Sequence, residues 1–191
     1  MTLAVASTPI TLPSPFQDLL EAAARALMDP DDWGDINFLQ PSGEAALVSP
    51  DSVSWRVFKN PLSLFVGGVS AVILQLAEPR VRTGVWEHTS FRVNPVVRMR
   101  RTGLAAMVTV YGARSTAEAM IARVRRMHDR IAGTTPSGEV YHANDPDLLN
   151  WVQGTAAYGF LQAYHTYVRP LSLQERCSGR APLWRARRPG I

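Results

Sequence analysis

The sequence predicts an all-α fold, a single globular helical domain built around a buried central helix. Four segments carry apolar residues at the helical spacing of three and four: 62–77, 95–111, 115–132 and 146–168. Three of these segments begin at a capping residue followed by proline, a combination that starts helices: Asn60–Pro61, Asn94–Pro95 and Asp145–Pro146. The chain of 191 residues is 46% hydrophobic, which suffices for one domain with a substantial core.

Composition divides the chain into three parts. Residues 1–15 are rich in proline, serine and threonine, which predicts a flexible N-terminal arm. Residues 16–175 form the predicted helical domain, and its first amphipathic helix covers 15–28. Residues 176–191 contain five arginines among prolines and glycines, which predicts a disordered basic tail.

The segment from Leu62 to Ala77 is apolar nearly all round, so we expect this helix to be buried at the centre of the domain. Its sixteen residues fall short of the ~20 that cross a bilayer, and we expect no transmembrane span. Gly67 and Gly68 lie in mid-helix, where each costs roughly 1 kcal/mol relative to alanine. Close approach of another helix or of a flat cofactor would compensate this cost.

The next two helical patterns direct polar groups inward. Arg98 and Thr102 lie one turn apart on one side of the first helix, and His128 lies on the apolar stripe of the second. An arginine and a threonine near a buried histidine could hold a planar anionic cofactor, and haem is the obvious candidate. A lone histidine on an apolar face is more often a hydrogen-bonded core residue, so the spacing alone leaves both interpretations open.

Two further segments predict connections between helices. Residues 84–91 predict a helix-to-helix connection that carries Glu87 and His88, for which a surface turn is an equally good interpretation. Residues 133–144 contain the turn sequence Pro-Ser-Gly and predict a loop over one end of the domain.

Charge is distributed unevenly along the chain. Residues 1–60 contain three basic and eight acidic residues, whereas residues 61–191 contain seventeen basic and eight acidic residues. A cationic body attracts anionic lipid or nucleic acid without specificity. No base-reading motif accompanies this charge, so we expect no specific nucleic-acid partner.

Several classes of protein are excluded or disfavoured by missing residues. Cys177 is the only cysteine, so one chain holds no intramolecular disulfide and no cysteine-based zinc or iron–sulfur site. The sequence has no Gly-x-Ser-x-Gly elbow and no Walker or Rossmann glycine motif. The first residues have no basic region of the kind that opens a secretory signal, so the cytoplasm is the expected location.

A family resemblance begins with the motifs Arg98-x-x-Arg101-Thr102 and Val124-Arg125-x-x-His128. Further matches follow the same order along the chain: Trp55-x-Val57, Asn60-Pro61, Gly67-Gly68, Leu74-Gln75-x-Ala77-x-Pro79, Gly84-Val85-x-x-His88 and the segment 141–175. Together these motifs resemble the catalytic domain of the MpaB-type and rubber oxygenases, the latex-clearing proteins. The resemblance covers roughly residues 50–176. No single motif is specific, but their common order is moderately so.

The resemblance implies a haem-dependent oxygenase-like oxidoreductase that uses haem b. His128 would be the axial ligand of the iron, and Arg98 and Thr102 would contact or flank the haem. Arg101 stands where relatives place a basic residue on the distal side, and Glu87 and His88 would lie near the substrate. The implied partners are dioxygen and a small hydrophobic substrate, an isoprenoid or another lipid.

Two departures from the family pattern define the alternative. Glu78 precedes Pro79, where many relatives have histidine, and the pattern breaks after Glu175 as in a C-terminally truncated member. The alternative function is therefore a non-catalytic or degenerate helical module that binds a hydrophobic ligand or an anionic surface without redox chemistry. The alternative fold is a helical domain completed only in a homodimer.

Overall fold

The computed structural model describes residues 40–179 continuously, together with residues 13–15, 18, 19, 22 and 36–38. In this part of the chain, seven α-helices and one two-stranded hairpin form the fold, which confirms the all-α prediction. The predicted helix over 15–28 lies mostly outside the described residues, and so does the predicted tail from residue 180 onward.

The helices in chain order are α1 (Val53–Phe58), α2 (Pro61–Gln75), α3 (Pro79–His88), α4 (Pro95–Tyr111), α5 (Arg114–His128), α6 (Pro146–Tyr167) and α7 (Leu173–Gly179). A 3₁₀ turn joins α3 to α4 and covers Ser90–Arg92. Two antiparallel strands separate α5 from α6, namely β1 (Ala132–Thr134) and β2 (Val140–His142). The four predicted helices are confirmed as α2, α4, α5 and α6.

Two of the three predicted caps form as expected. The side chains of Asn60 and Asn94 each accept a hydrogen bond from the backbone N–H three residues on, at 3.0 and 3.2 Å. These bonds satisfy donors that the first helical turn leaves free. Asp145 does not cap α6, because its carboxylate accepts a hydrogen bond from the His142 N–H at 3.1 Å instead.

Three predicted boundaries are wrong. Residues 84–88 belong to α3, not to a connection: Pro79, taken as the end of the preceding helix, also occupies the first turn of the next one. The loop predicted over 133–144 has its turn in the expected place, but short strands flank it. The helix predicted to reach residue 132 ends at His128.

The closest helix contact in the fold joins α2 to α6. A Cβ added at Gly67 would lie 2.7 Å from Phe160 Cα, and a Cβ added at Gly159 would lie 2.7 Å from the Gly67 carbonyl oxygen. Real Cβ atoms do not approach backbone that closely, so each glycine allows the two backbones to meet. Of the two compensations expected for Gly67, close approach of a helix is the one observed.

The central helix α2 is fully buried along one stripe, Ser63, Gly67, Ala71 and Gln75, which repeats every four residues. Most of its other side chains are half-buried, and Ile73 is 65% exposed. No single helix in the described part of the chain is long and apolar enough to cross a membrane. Helices α2 and α3 meet the length and composition criterion only as a pair, and a bend of 108° separates them.

A small hydrophobic core and an ion-pair network join α1, the end of α6 and α7. Val53 and Val57 of α1 pack with Leu161, Tyr164 and Leu171. The Glu175 carboxylate of α7 accepts hydrogen bonds from Arg56 of α1 at 2.7 Å and from Arg169 at 2.8 Å. Helix α7 is thereby tied to α1 and to the end of α6.

The two neighbouring glycines of α2 should respond to substitution with opposite signs. We expect Gly67→Ala to destabilise the protein by about 1–3 kcal/mol, because the new methyl group meets backbone of α6. Gly68→Ala is its matched control: its Cβ would lie 3.9 Å from the Phe160 ring, and it should stabilise by about 0.5–1 kcal/mol. Urea denaturation measures both changes, and a shift of both variants in the same direction would contradict the packing described above.

Glu175 should make the free energy of unfolding depend on pH in the acid range. The backbone N–H of Ser172 and the guanidinium of Arg56 lower the pKa of Glu175 from 4.5 to about 2. A carboxyl group with a depressed pKa contributes stability above its unfolded pKa and loses that contribution as the pH falls. We therefore expect the free energy of unfolding to fall between pH 4.5 and about pH 2, and to fall less steeply in Glu175→Gln. If the free energy of unfolding falls equally steeply with acid in both proteins, the ion-pair network does not contribute to stability.

Candidate functional site

An apolar cavity of about 210 Å³ separates α4 from the α2–α6 pair. Helix α4 makes its main contacts with α5, α1 and the 3₁₀ turn, so it does not close against the pair. The cavity wall is almost entirely aliphatic and aromatic: it includes Leu64, Phe65 and Val72 of α2, Leu104 and Met107 of α4, and Phe160 of α6. Such a wall suits a hydrophobic occupant.

A second cavity of about 160 Å³ adjoins the first. It lies among α3, the start of α4, the residues around the end of α5, the hairpin and the start of α6. Its wall includes Val85, His128, Ile131, Tyr141 and Leu148. Three residues line both cavities, namely Gln75, Arg98 and Val152. These three form the partition between the two spaces.

Arg98 is the charged residue of the partition. Its Nη1 atom is buried and has no hydrogen-bond partner among the described residues. Burial lowers the pKa of Arg98, although an arginine remains cationic at neutral pH. On its outer side the guanidinium stacks over the Phe91 ring, 5.9 Å from the centroid. A buried cation with an unsatisfied donor is costly unless an anionic group meets it.

Gln75 is the polar residue of the partition, and in the sequence it was named only as part of a family motif, without a role in the site. Its side-chain Nε2 donates to the Val152 backbone carbonyl at 3.4 Å, and its backbone carbonyl accepts from Trp151 Nε1 at 3.3 Å. These contacts fix the end of α2 against α6. The available signal was a glutamine that continues the four-residue repeat of small residues in an otherwise apolar helix.

His128 is half-buried at the last residue of α5, where it lines the second cavity. Burial lowers the pKa of His128, and a hydrogen bond with Asn144 opposes this shift in part. The neutral imidazole is the form that can donate a lone pair to a metal. Among the described residues, no three His, Cys, Asp or Glu side chains lie together to hold a metal ion. The described residues therefore offer no cluster of protein ligands around His128.

Thr102 lines the first cavity, one turn from Arg98 as expected. Its hydroxyl donates to the Arg98 carbonyl at 2.9 Å, so the hydroxyl hydrogen is used within α4. Arg98, Thr102 and His128 therefore all border the joined cavities, although Arg98 and His128 share the second cavity while Thr102 lines only the first.

Arg101, Glu87 and His88 lie outside both cavities. All three are exposed, Arg101 on α4 and the other two in the last turn of α3. Glu87 accepts a hydrogen bond from the Tyr141 hydroxyl at 3.4 Å, and the His88 ring lies 6.4 Å from the Tyr141 ring. Tyr141 is buried and lines the second cavity, so it stands between this pair and the cavity.

The fold and the site together define a helical domain with two adjoining, mostly apolar cavities beside a half-buried arginine and a half-buried histidine. Residues 55–179 match the family described as the ER-bound oxygenase mpaB/B'/Rubber oxygenase catalytic domain. The chain belongs to this oxygenase family. No curated protein and no solved structure matches the chain.

The protein prepared without added cofactor should show His128 neutral at pH 7. We expect the His128 ring to titrate below pH 6.5, since burial disfavours the imidazolium. Replacement of Asn144 by alanine should lower this pKa further, because the hydrogen bond with Asn144 raises it. NMR titration of the histidine ring signals, assigned with His128→Gln, measures both values. A His128 pKa above 6.5 would contradict the buried position.

Proposed function

We propose that this chain binds haem b across the two cavities and acts as a haem-dependent oxygenase-like oxidoreductase on a hydrophobic substrate. The oxygenase class follows from the family to which the chain belongs. The observation that carries the haem proposal is the buried, unpartnered Nη1 of Arg98 on the wall of the cavity that His128 also lines.

The cavities fit the group in chemistry. The wall of the first cavity is mostly apolar. An occupant with flat apolar faces gains free energy by removing this surface from water through contact with α2, α4 and α6. Sites that enclose drug-sized ligands are about 300–1,000 Å³, larger than either cavity alone. A haem would therefore extend through both cavities, past the three residues that line both, Gln75, Arg98 and Val152.

His128 would bind the iron through one imidazole nitrogen. Its lowered pKa keeps the lone pair available at neutral pH. Haem, when bound, supplies the oxygen chemistry. The contribution of the protein is to hold the group, to surround it with apolar side chains and to exclude water.

Arg98 would hold a carboxylate of the haem. Its Nη1 offers one positively charged donor that nothing else in the described residues uses, and a charge-assisted hydrogen bond suits a propionate. Thr102 supports this arginine from the same helix, since its hydroxyl is bonded to the Arg98 carbonyl. The two residues therefore tune the site, whereas His128 supplies its only protein ligand.

The catalytic roles of Arg101, Glu87 and His88 remain hypotheses from the family resemblance. Tyr141 gives Glu87 and His88 an indirect route to the second cavity, because its ring lines the wall and its hydroxyl bonds Glu87. Arg101 has no such route among the described contacts, and a guanidinium is a poor base. We expect it to act by charge from the surface of α4.

The second candidate is a module of the same family that binds a hydrophobic ligand without redox chemistry. One observation favours it: none of the three catalytic candidates lines either cavity. A colourless protein that takes up a fatty ligand but not added haem would support this candidate.

Haem reconstitution of the purified chain separates the two candidates. We expect a haem absorption band that His128→Ala abolishes, because that substitution removes the only proposed protein ligand. Arg98→Ala should weaken haem binding about ten- to a hundredfold, which corresponds to one charge-assisted hydrogen bond. Absorption titration with haem measures both affinities.

His88→Ala serves as the matched control for this titration. His88 is an exposed histidine that lines neither cavity, so its removal should leave haem affinity unchanged. A wild-type protein that takes up no haem, or a His128→Ala variant that binds haem like the wild type, would refute the proposed site.

A further inference from the structure

The corner between α3 and α4 exposes an unusual number of large apolar side chains. Trp86 is 50% exposed, Val96 is 49% exposed, and Val93 is 87% exposed, the highest value among large apolar side chains in the described part of the chain. The ring of the half-buried Phe91 lies 6.5 Å from that of Trp86. Packing among the described residues leaves these three side chains largely exposed.

The same corner is cationic. Residues 86–101 contain four arginines and one acidic residue, Glu87. Arg92 and Arg101 are exposed, and the Arg98 guanidinium lies over the Phe91 ring. We call residues 86–101 the arginine corner. An exposed aromatic and aliphatic cluster with arginines around it is complementary to a surface that has apolar depth and anionic phosphates.

The arginine corner borders the second cavity. Val85, Thr89 and Arg98 line that cavity. Val85 is next to Trp86 in the chain, Thr89 is two residues before Phe91, and the Arg98 guanidinium lies over the Phe91 ring. The apolar surface and the cavity wall are therefore built from the same turn of chain.

We propose that the arginine corner docks on a bilayer that contains anionic phospholipid. Trp86, Val93 and Val96 enter the interfacial layer, where tryptophan is favoured, and Arg92 and Arg101 contact lipid phosphates. A protein partner is the poorer fit, because the whole arginine corner, residues 86–101, is smaller than the roughly 20–30 residues per side of a stable protein interface. The docking requires no cofactor, so its test is independent of the haem proposal.

Vesicle cosedimentation with the full chain tests the docking. We expect binding to vesicles of phosphatidylcholine and phosphatidylglycerol in equal parts, and much weaker binding to phosphatidylcholine alone. The double variant Val93→Ser/Val96→Ser should bind at least about tenfold more weakly, since it loses two buried apolar contacts. Leu173→Ser is the matched control: Leu173 is 78% exposed on α7, outside the arginine corner, and its loss should change nothing.

Two further measurements distinguish this surface from general attraction to the basic chain. Arg92→Gln should weaken binding to the mixed vesicles about fivefold, the effect of one arginine near an anionic surface. Acyl chains that carry bromine should quench the tryptophan emission of the wild type, and Trp86→Phe should lose most of this quenching. The proposal is overturned if the wild type does not bind, if the double valine variant binds like the wild type, or if Trp86→Phe is quenched as strongly as the wild type.

Discussion

The contact of the α2 and α6 backbones at Gly67 and Gly159 determines the register of the two helices and the position of the cavities beside them. Each glycine faces the other helix at a distance that excludes a side chain, so the two helices are fixed in register as well as in separation. The buried stripe from Ser63 to Gln75 follows from that register. Because α2 and α6 are so close, their outer surface forms one wall of the first cavity. Helix α4 forms the opposite wall and does not close against the pair. The cavities are the space that this difference in helix separation leaves.

The helices that could be predicted were those whose start and period both lie in local sequence. Asn60 and Asn94 cap α2 and α4 because a side-chain oxygen three residues before a free N–H needs no tertiary partner. Helix α3 was missed because Pro79 was taken only as a helix end, although proline also suits a first turn. The short strands at residues 132–142 could not be expected from periodicity, since three residues are too few to show one.

Of the predicted site residues, Arg98, Thr102 and His128 border the cavities, but the shape of the cavities could not be predicted. The positions of Arg98 and His128 on inward helix faces could be obtained from spacing, and both line the second cavity. The cavities depend on distances between helices, which no periodicity encodes. For the same reason, the exposure of Glu87 and His88 depends on where the last turn of α3 points. Gln75 and Tyr141 gain their importance only from the neighbours that the fold gives them.

The attachment of the α4–α5 hairpin has a consequence for how the cavities exchange their contents. The hairpin is anchored at the joint between its two helices, where the Tyr111 hydroxyl donates to the Trp55 carbonyl at 2.7 Å and the Glu44 carboxylate accepts from the Ser115 N–H at 2.7 Å. Toward the start of α4 and the end of α5, the apolar cavity lies between α4 and the α2–α6 pair in place of a packed interface. That end is held as well, because Asn144 donates to the Arg125 carbonyl at 3.1 Å and to the Asp129 carboxylate at 2.7 Å. Exchange of a bulky occupant of the cavity would therefore require one of these attachments to open.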